Sequence, residues 1–149
     1  MTEIAVSDAA FADADAIFAL AVDHLARKFS PIRPFDARSI PSGRAAGVVA
    51  IDAWAEGAVG NWRSELVRFY EAHAPQALRP DPTLNALLRR ARRAGTTITV
   101  VSPLPRAALE LYLSHLGVRR AADRVLGEED GAPEPTVRTR ELLDAALGA

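Results

Sequence analysis

Few residues of this chain carry side chains suited to chemistry, and they are scattered along it. Ser102 closes a β-rich run, Thr97 to Val101, and Asp8 follows a shorter apolar run, Ile4 to Ser7. Glu128, Glu129 and Asp130 stand together in a stretch rich in glycine and proline, Gly127 to Pro135. Lys28 is the only lysine, and there is no cysteine. The lack of cysteine excludes disulfides, thiol nucleophiles and thiolate metal sites. His24, His73 and His115 fall in three separate helical patterns, without the His-x-x-x-His spacing of a metal-binding helix. Ser102 has no paired histidine at hand, so a Ser–His–Asp triad is unsupported.

The elements around Ser102 explain why its position matters. A helical pattern, Asp81 to Ala94, precedes the β-rich run, and another, Arg106 to Leu116, follows it. Pro103 and Pro105 bar continuation of the strand, and Pro105 suits the first turn of a helix. Helix–strand–helix with short joints is half of a parallel α/β sheet. In such sheets ligands bind at the carboxyl ends of strands, where Ser102 falls.

The rest of the chain is mostly helical. Phe11, Ala14, Phe18, Ala21, Val22, Leu25 and Phe29 form one stripe, which predicts a helix over Ala10 to Phe29. Ser30-Pro31-Ile32-Arg33-Pro34 is an extended joint. Ala45 to Ala58 is a weaker, Ala-rich helix, and Asn61 to His73 a better one. Trp54 and Trp62, at helical spacing, read as packing anchors of this region. Asp81 is placed to cap the next helix, with Pro82 in its first turn. Arg89, Arg90, Arg92 and Arg93 gather at that helix's C-terminal end and read as a solvated face that complements the helix dipole. Arg124 to Leu126 is a third short strand, and Thr136 is placed to cap a final helix carrying Val137, Leu143 and Leu147.

Composition bounds the function. Apolar residues make up 49% of the 149 residues and charged ones 25%, the balance of one compact globular domain. A net charge of −1 gives no global pull toward nucleic acid or a membrane surface, so neither is expected as a partner. No apolar run is long enough to span a bilayer, and no leader pattern opens the chain, so a cytoplasmic protein is the expectation.

Taken in order, these features resemble the haloacid dehalogenase superfamily, in its branch with a helical cap between the first strand and the first core helix. The resemblance implies an α/β fold. Its three-layer Rossmann-like core, with a short parallel sheet, spans residues 1–12 and 78–149, and a small helical cap spans 13–77. Val101-Ser102-Pro103-Leu104-Pro105-Arg106 resembles the second motif, whose Ser or Thr binds the substrate phosphoryl group. The bottom-up alternative for Ser102 is a cap on the helix that starts near Pro105. Asp8 falls at the family nucleophile, the carboxylate that attacks phosphorus. Gly131-Ala132-Pro133-Glu134-Pro135 falls where the family has Gly-Lys-Pro-x-Pro.

The sequence departs from that pattern at nearly every working position. Ala10 stands where a second Asp would serve as general acid and base. Ala132 stands where a lysine would offset the phosphate charge. The Mg²⁺ carboxylates of the fourth motif need a further strand, and the chain ends at Ala149. Glu128, Glu129 and Asp130 follow the third strand, on the far side of the second strand from Asp8, and read as a solvated loop.

The resemblance with these departures implies a truncated, catalytically degenerate member that acts by binding, in an accessory, regulatory or assembly role, with no cofactor. The alternative is a hydrolase, phosphatase or phosphonatase-like, with Asp8 as nucleophile and Mg²⁺ as cofactor. The phosphonoacetaldehyde hydrolases of this superfamily resemble the chain in carrying Ala two residues after the nucleophile. They use a cap lysine, for which Lys28 is the only candidate. Ile4 to Ser7 is expected to form an apolar sheet edge without Lys or Pro to blunt it. A homodimer or a protein partner is expected to cover that edge.

Overall fold

The computed structural model describes residues 2–148. Its centre is a parallel sheet of three short strands, β1 (Glu3–Ser7), β2 (Thr97–Val101) and β3 (Arg124–Leu126), in the order β1-β2-β3. Glu3 pairs with Thr97 and Ser7 with Val101, while Thr99 pairs with Arg124 and Val101 with Leu126. The residues that follow β1 and β2, Asp8 and Ser102, therefore emerge side by side. Val6, Ile98 and Val100 are wholly buried, as expected of parallel strands covered by helices.

Six helices surround the sheet among the described residues: α1 (Ala14–Phe29), α2 (Arg44–Ala55), α3 (Trp62–Ala77), α4 (Pro82–Arg93), α5 (Arg106–His115) and α6 (Thr139–Gly148). The α/β class, the parallel pairing and the strand order agree with the sequence expectation. Asp81 caps α4 through its side chain, which accepts from the Thr83 and Leu84 amides at 3.0 and 3.1 Å, and Pro82 opens the helix. No helix among the described residues is long and apolar enough to cross a membrane.

Three local expectations are corrected. The first long helix does not begin at Ala10. Asp8–Ala10 is a tight 3-10 turn, capped by Ser7, and α1 starts after Asp13, whose side chain accepts from the Ala16 amide at 3.0 Å. An acceptor at Asp13 satisfies amides that an unbroken helix would satisfy otherwise, so the chain turns there. The last helix starts at Thr139, not after Thr136, and Val137 is 50% exposed. Glu128–Asp130 is not a free solvated loop but a second 3-10 turn with every carboxylate engaged. Glu128 takes a two-pronged bond from Arg63 at 2.8 and 2.6 Å, Glu129 accepts from the Arg106 amide at 2.8 Å, and Asp130 accepts from the Gly127 amide at 2.8 Å.

Packing ties the helices of residues 14–77 to the sheet layer. α3 lies against both α1 and α5, and one apolar cluster runs from Ile4 and Val6 through Phe18, Trp62 and Tyr70 to Leu109. Gly47 lets α2 approach α1, because a Cβ there would lie 2.7 Å from the Phe18 ring. β1 is the edge of the sheet, and α6 packs against β1 and α4 with Leu143 buried.

Gly127 holds the closest backbone approach. A Cβ there would sit 2.7 Å from the Arg106 nitrogen and 2.9 Å from the Leu104 carbonyl oxygen, and neither backbone atom can yield cheaply. Gly127→Ala is expected to lower stability in urea denaturation by about 2 kcal/mol, the range of an overpacked site. An unchanged midpoint would show that the β3 end and the α5 start are not locked together.

Candidate active site

The carboxyl ends of β1 and β2 carry Asp8 and Ser102, both buried. Between them sits a residue that sequence reasoning passed over. Arg44, the first residue of α2, reaches into the sheet end and is itself buried. Its Nη1 donates to Asp8 Oδ2 at 2.6 Å and lies 3.5 Å from Ser102 Oγ. Its Nη2 donates to Glu134 Oε2 at 3.3 Å, and its Nε lies 3.7 Å from Asp15 Oδ1. One guanidinium therefore gathers groups from β1, α1, β2 and the Pro133-Glu134-Pro135 segment.

Each contributor is held by its own element. Tyr112 of α5 donates its hydroxyl to the Asp8 carbonyl at 2.8 Å, which anchors the turn after β1. Ser102 Oγ accepts from the Leu104 amide at 3.1 Å, so it closes a short turn on its own strand and does not cap α5. Pro105 occupies the cap position of α5, with no side-chain bond there. Glu134, set between two prolines, also accepts from Ser7 Oγ at 2.8 Å.

The electrostatics follow from removing this cluster from water. Burial pushes the Asp8 carboxyl above its ordinary value, and the Arg44 hydrogen bond and charge offset that only in part. Burial also works against the Arg44 charge, but the bond to Asp8 and the nearby carboxylates outweigh it, so the guanidinium is held firmly protonated. Burial raises the Tyr112 phenol above its usual range, reinforced by the Asp8 charge. Asp8 Oδ1 has no hydrogen-bond partner among the described residues, nor has the buried Tyr70 hydroxyl.

A Mg²⁺ ion at this sheet end would have to displace a guanidinium from the carboxylates it would use. That ion asks for about six oxygens in a tight octahedron. Among the described residues no group of three or more His, Asp or Glu side chains is placed to hold a metal. The most buried carboxylate already carries a cation at 2.6 Å.

The other sequence candidates lie elsewhere. Lys28 is exposed on the last turn of α1, and its charge acts on Glu65, not on Asp8. His24 pairs with Glu65 at 2.8 Å, and His73 stacks on Phe69. Arg44 left one local signal. A cation in the first turn of a helix opposes the macrodipole, so its presence there calls for an anionic partner.

A family model described as haloacid dehalogenase-like hydrolase matches residues 8–144. No curated protein matches the chain. Among solved structures, it is similar to a protein assigned as a β-phosphoglucomutase from Thermotoga maritima, with a TM-score of 0.53 and 12% identity over 87% of this chain. It is also similar to a protein assigned as a phosphoglycolate phosphatase from Lactobacillus delbrueckii subsp. bulgaricus, with a TM-score of 0.50 and 20% identity over 99% of this chain. The chain spans 62% of the Thermotoga protein and 73% of the Lactobacillus one. At these identities the likeness is one of fold.

The Asp8–Arg44 pair generates a stability prediction. Arg44→Leu leaves a buried carboxylate uncompensated and is expected to cost about 3–5 kcal/mol in urea denaturation, as is Asp8→Leu. The double variant is expected to lose much less than the two single losses added together. Additive losses would show that the two charges do not depend on each other.

Proposed function

Because this chain belongs to the haloacid dehalogenase-like hydrolases, we propose that it uses their fold to bind, in an accessory, regulatory or assembly role, and not to turn over a phosphate ester. The observation that carries this reading is the 2.6 Å contact between Arg44 Nη1 and Asp8 Oδ2, with both side chains out of water. A carboxylate nucleophile must present a free oxygen to an electrophile. Here Oδ2 is bonded to a guanidinium and Oδ1, though unpartnered, is buried, so neither oxygen lies open to an electrophile. Ala10 offers no proton for a leaving group, and Ala132 offers no charge to a phosphate. The positive charge at this site comes from α2 and is already neutralised by the protein's own carboxylates.

The second reading is a phosphatase or phosphonatase-like hydrolase with Asp8 as nucleophile. It is favoured by one observation: Asp8 Oδ1 is buried without a partner at the same sheet end as Ser102. On that reading Arg44 clamps the phosphoryl oxygens in place of a lysine.

The binding reading also has a structural route. β1 is the sheet edge, packed by α6 but paired with no further strand among the described residues, and such an edge suits a second copy of the chain or a strand from another protein.

The test is hydrolysis of p-nitrophenyl phosphate and phosphonoacetaldehyde with added Mg²⁺, using wild type and Asp8→Asn. The expected result is no turnover above background in either protein. Wild-type turnover near roughly ten per second, the enzyme median, lost in Asp8→Asn, establishes the hydrolase instead. Light scattering at high micromolar concentration tests the route separately. A species larger than one chain is expected, and a strict monomer removes self-association through β1.

A further inference from the structure

The parallel register puts Asp8 and Ser102 at one end of the sheet and the start of β2 at the other, about 16 Å away for a five-residue strand. At that far end lies a second cleft, of about 750 Å³. Arg89, Arg92 and Arg93 reach it from α4, and Arg120 from the connection between α5 and β3. The cluster on α4 is exposed, as its pattern predicts, and three of its four arginines also line this cleft. Folding adds a fourth guanidinium, 27 residues further on than Arg93, to the same hollow.

Two helix ends make the space. α4 stops at Gly95 and α5 at Gly117, with φ values of +97° and +74° that favour glycine. Neither position has a heavy atom within 4 Å of where a Cβ would stand, so the hollow is open at both.

The charges in the cleft are unbalanced. Asp123 is its one carboxylate, and both of its oxygens are engaged: Oδ1 accepts from Arg92 Nε at 3.3 Å and Oδ2 from the Ile98 amide at 2.8 Å. Arg89, Arg93 and Arg120 have no carboxylate partner within ion-pair distance among the described residues. The C-terminal ends of α4 and α5 contribute about half a negative charge each, which leaves roughly two positive charges unmet. The whole chain carries −1, so this is a local concentration of charge and not general basicity. A nucleic-acid face would ask for an extended basic stripe. This charge is instead confined to a cleft within the range of small-molecule sites, about 300–1,000 Å³. Guanidinium forks match phosphate oxygens two by two.

We propose that this cleft binds a small organic phosphate carrying at least two negative charges, held by Arg89, Arg93 and Arg120. The inference does not rest on the reading of Asp8, because the two sites lie at opposite ends of the sheet.

Calorimetric titration tests it, with inorganic pyrophosphate, ATP and a sugar bisphosphate as probes at two salt concentrations. Wild type is expected to show saturable one-site binding of at least one probe, weakened by salt. Arg93→Gln/Arg120→Gln is expected to weaken it by at least about tenfold, a loss of about 1.4 kcal/mol. Arg92 is left in place because it holds Asp123. A control that removes the same charge elsewhere, Arg27→Gln/Arg38→Gln, is expected to bind as wild type does. ATP binding without sugar bisphosphate binding assigns a nucleotide, and the reverse assigns a phosphosugar. Both outcomes support the cleft. If the double variant does not fold, amide shifts in wild type on adding pyrophosphate decide. Shifts centred on Gly95, Thr96 and Gly117 support the site, and shifts elsewhere overturn it. No saturable binding up to millimolar probe overturns the proposal, as does equal weakening in the control. Binding of duplex DNA with none of the small probes also overturns it, in favour of a nucleic-acid face.

Discussion

Two charges held out of water, the Asp8 carboxylate and the Arg44 guanidinium, set the terms for the rest of this structure. Removing either from water is costly, and their mutual attraction repays the cost only when geometry is good and further bonds are supplied. The chain supplies them from several places. Glu134 comes from a segment stiffened by two prolines, Asp15 from the first turn of α1, and the Tyr112 hydroxyl fixes the Asp8 backbone from α5. Because the guanidinium belongs to α2, the ion pair also pins that helix onto the sheet end. The counter-charge at this sheet end thus comes from the same chain.

The counter-charge has to be brought in from α2. Ala10 and Ala132 carry neither a proton donor nor a cation, so neither can balance Asp8. Arg44 supplies the balance. The same two strands that bring Asp8 and Ser102 together also place the start of β2 at the opposite pole. There glycines follow α4 and α5, and Arg89, Arg93 and Arg120 collect without a carboxylate partner among the described residues. The sheet thus separates a neutralised end from one with charge to spare.

Packing also changed the meaning of residues that look inert or mobile in the sequence. Glu128, Glu129 and Asp130 read in the sequence as a solvated loop after the third strand, away from Asp8. They are in fact the ties between β3, the start of α5 and α3, through Arg63, the Arg106 amide and the Gly127 amide. Gly127 itself serves there by having no side chain, since backbone from the α5 start fills the space.

Local patterns were legible from the sequence alone, because they depend on neighbours a few positions away. The β-rich run ending at Ser102, the Asp81–Pro82 helix start, the glycine stop at Gly117 and the parallel α/β class all follow from periodicity and backbone preference. The family resemblance also rested on short ordered motifs. Tertiary structure alone decided the partners of charge. Asp8 and Arg44 are 36 positions apart, Arg44 and Glu134 are 90, and Arg63 and Glu128 are 65. Nothing in the local pattern distinguishes Arg44 from the other arginines except its uncomfortable place at a helix start. Burial turned that discomfort into the central contact, because a charge taken out of water must find its opposite wherever the fold brings one.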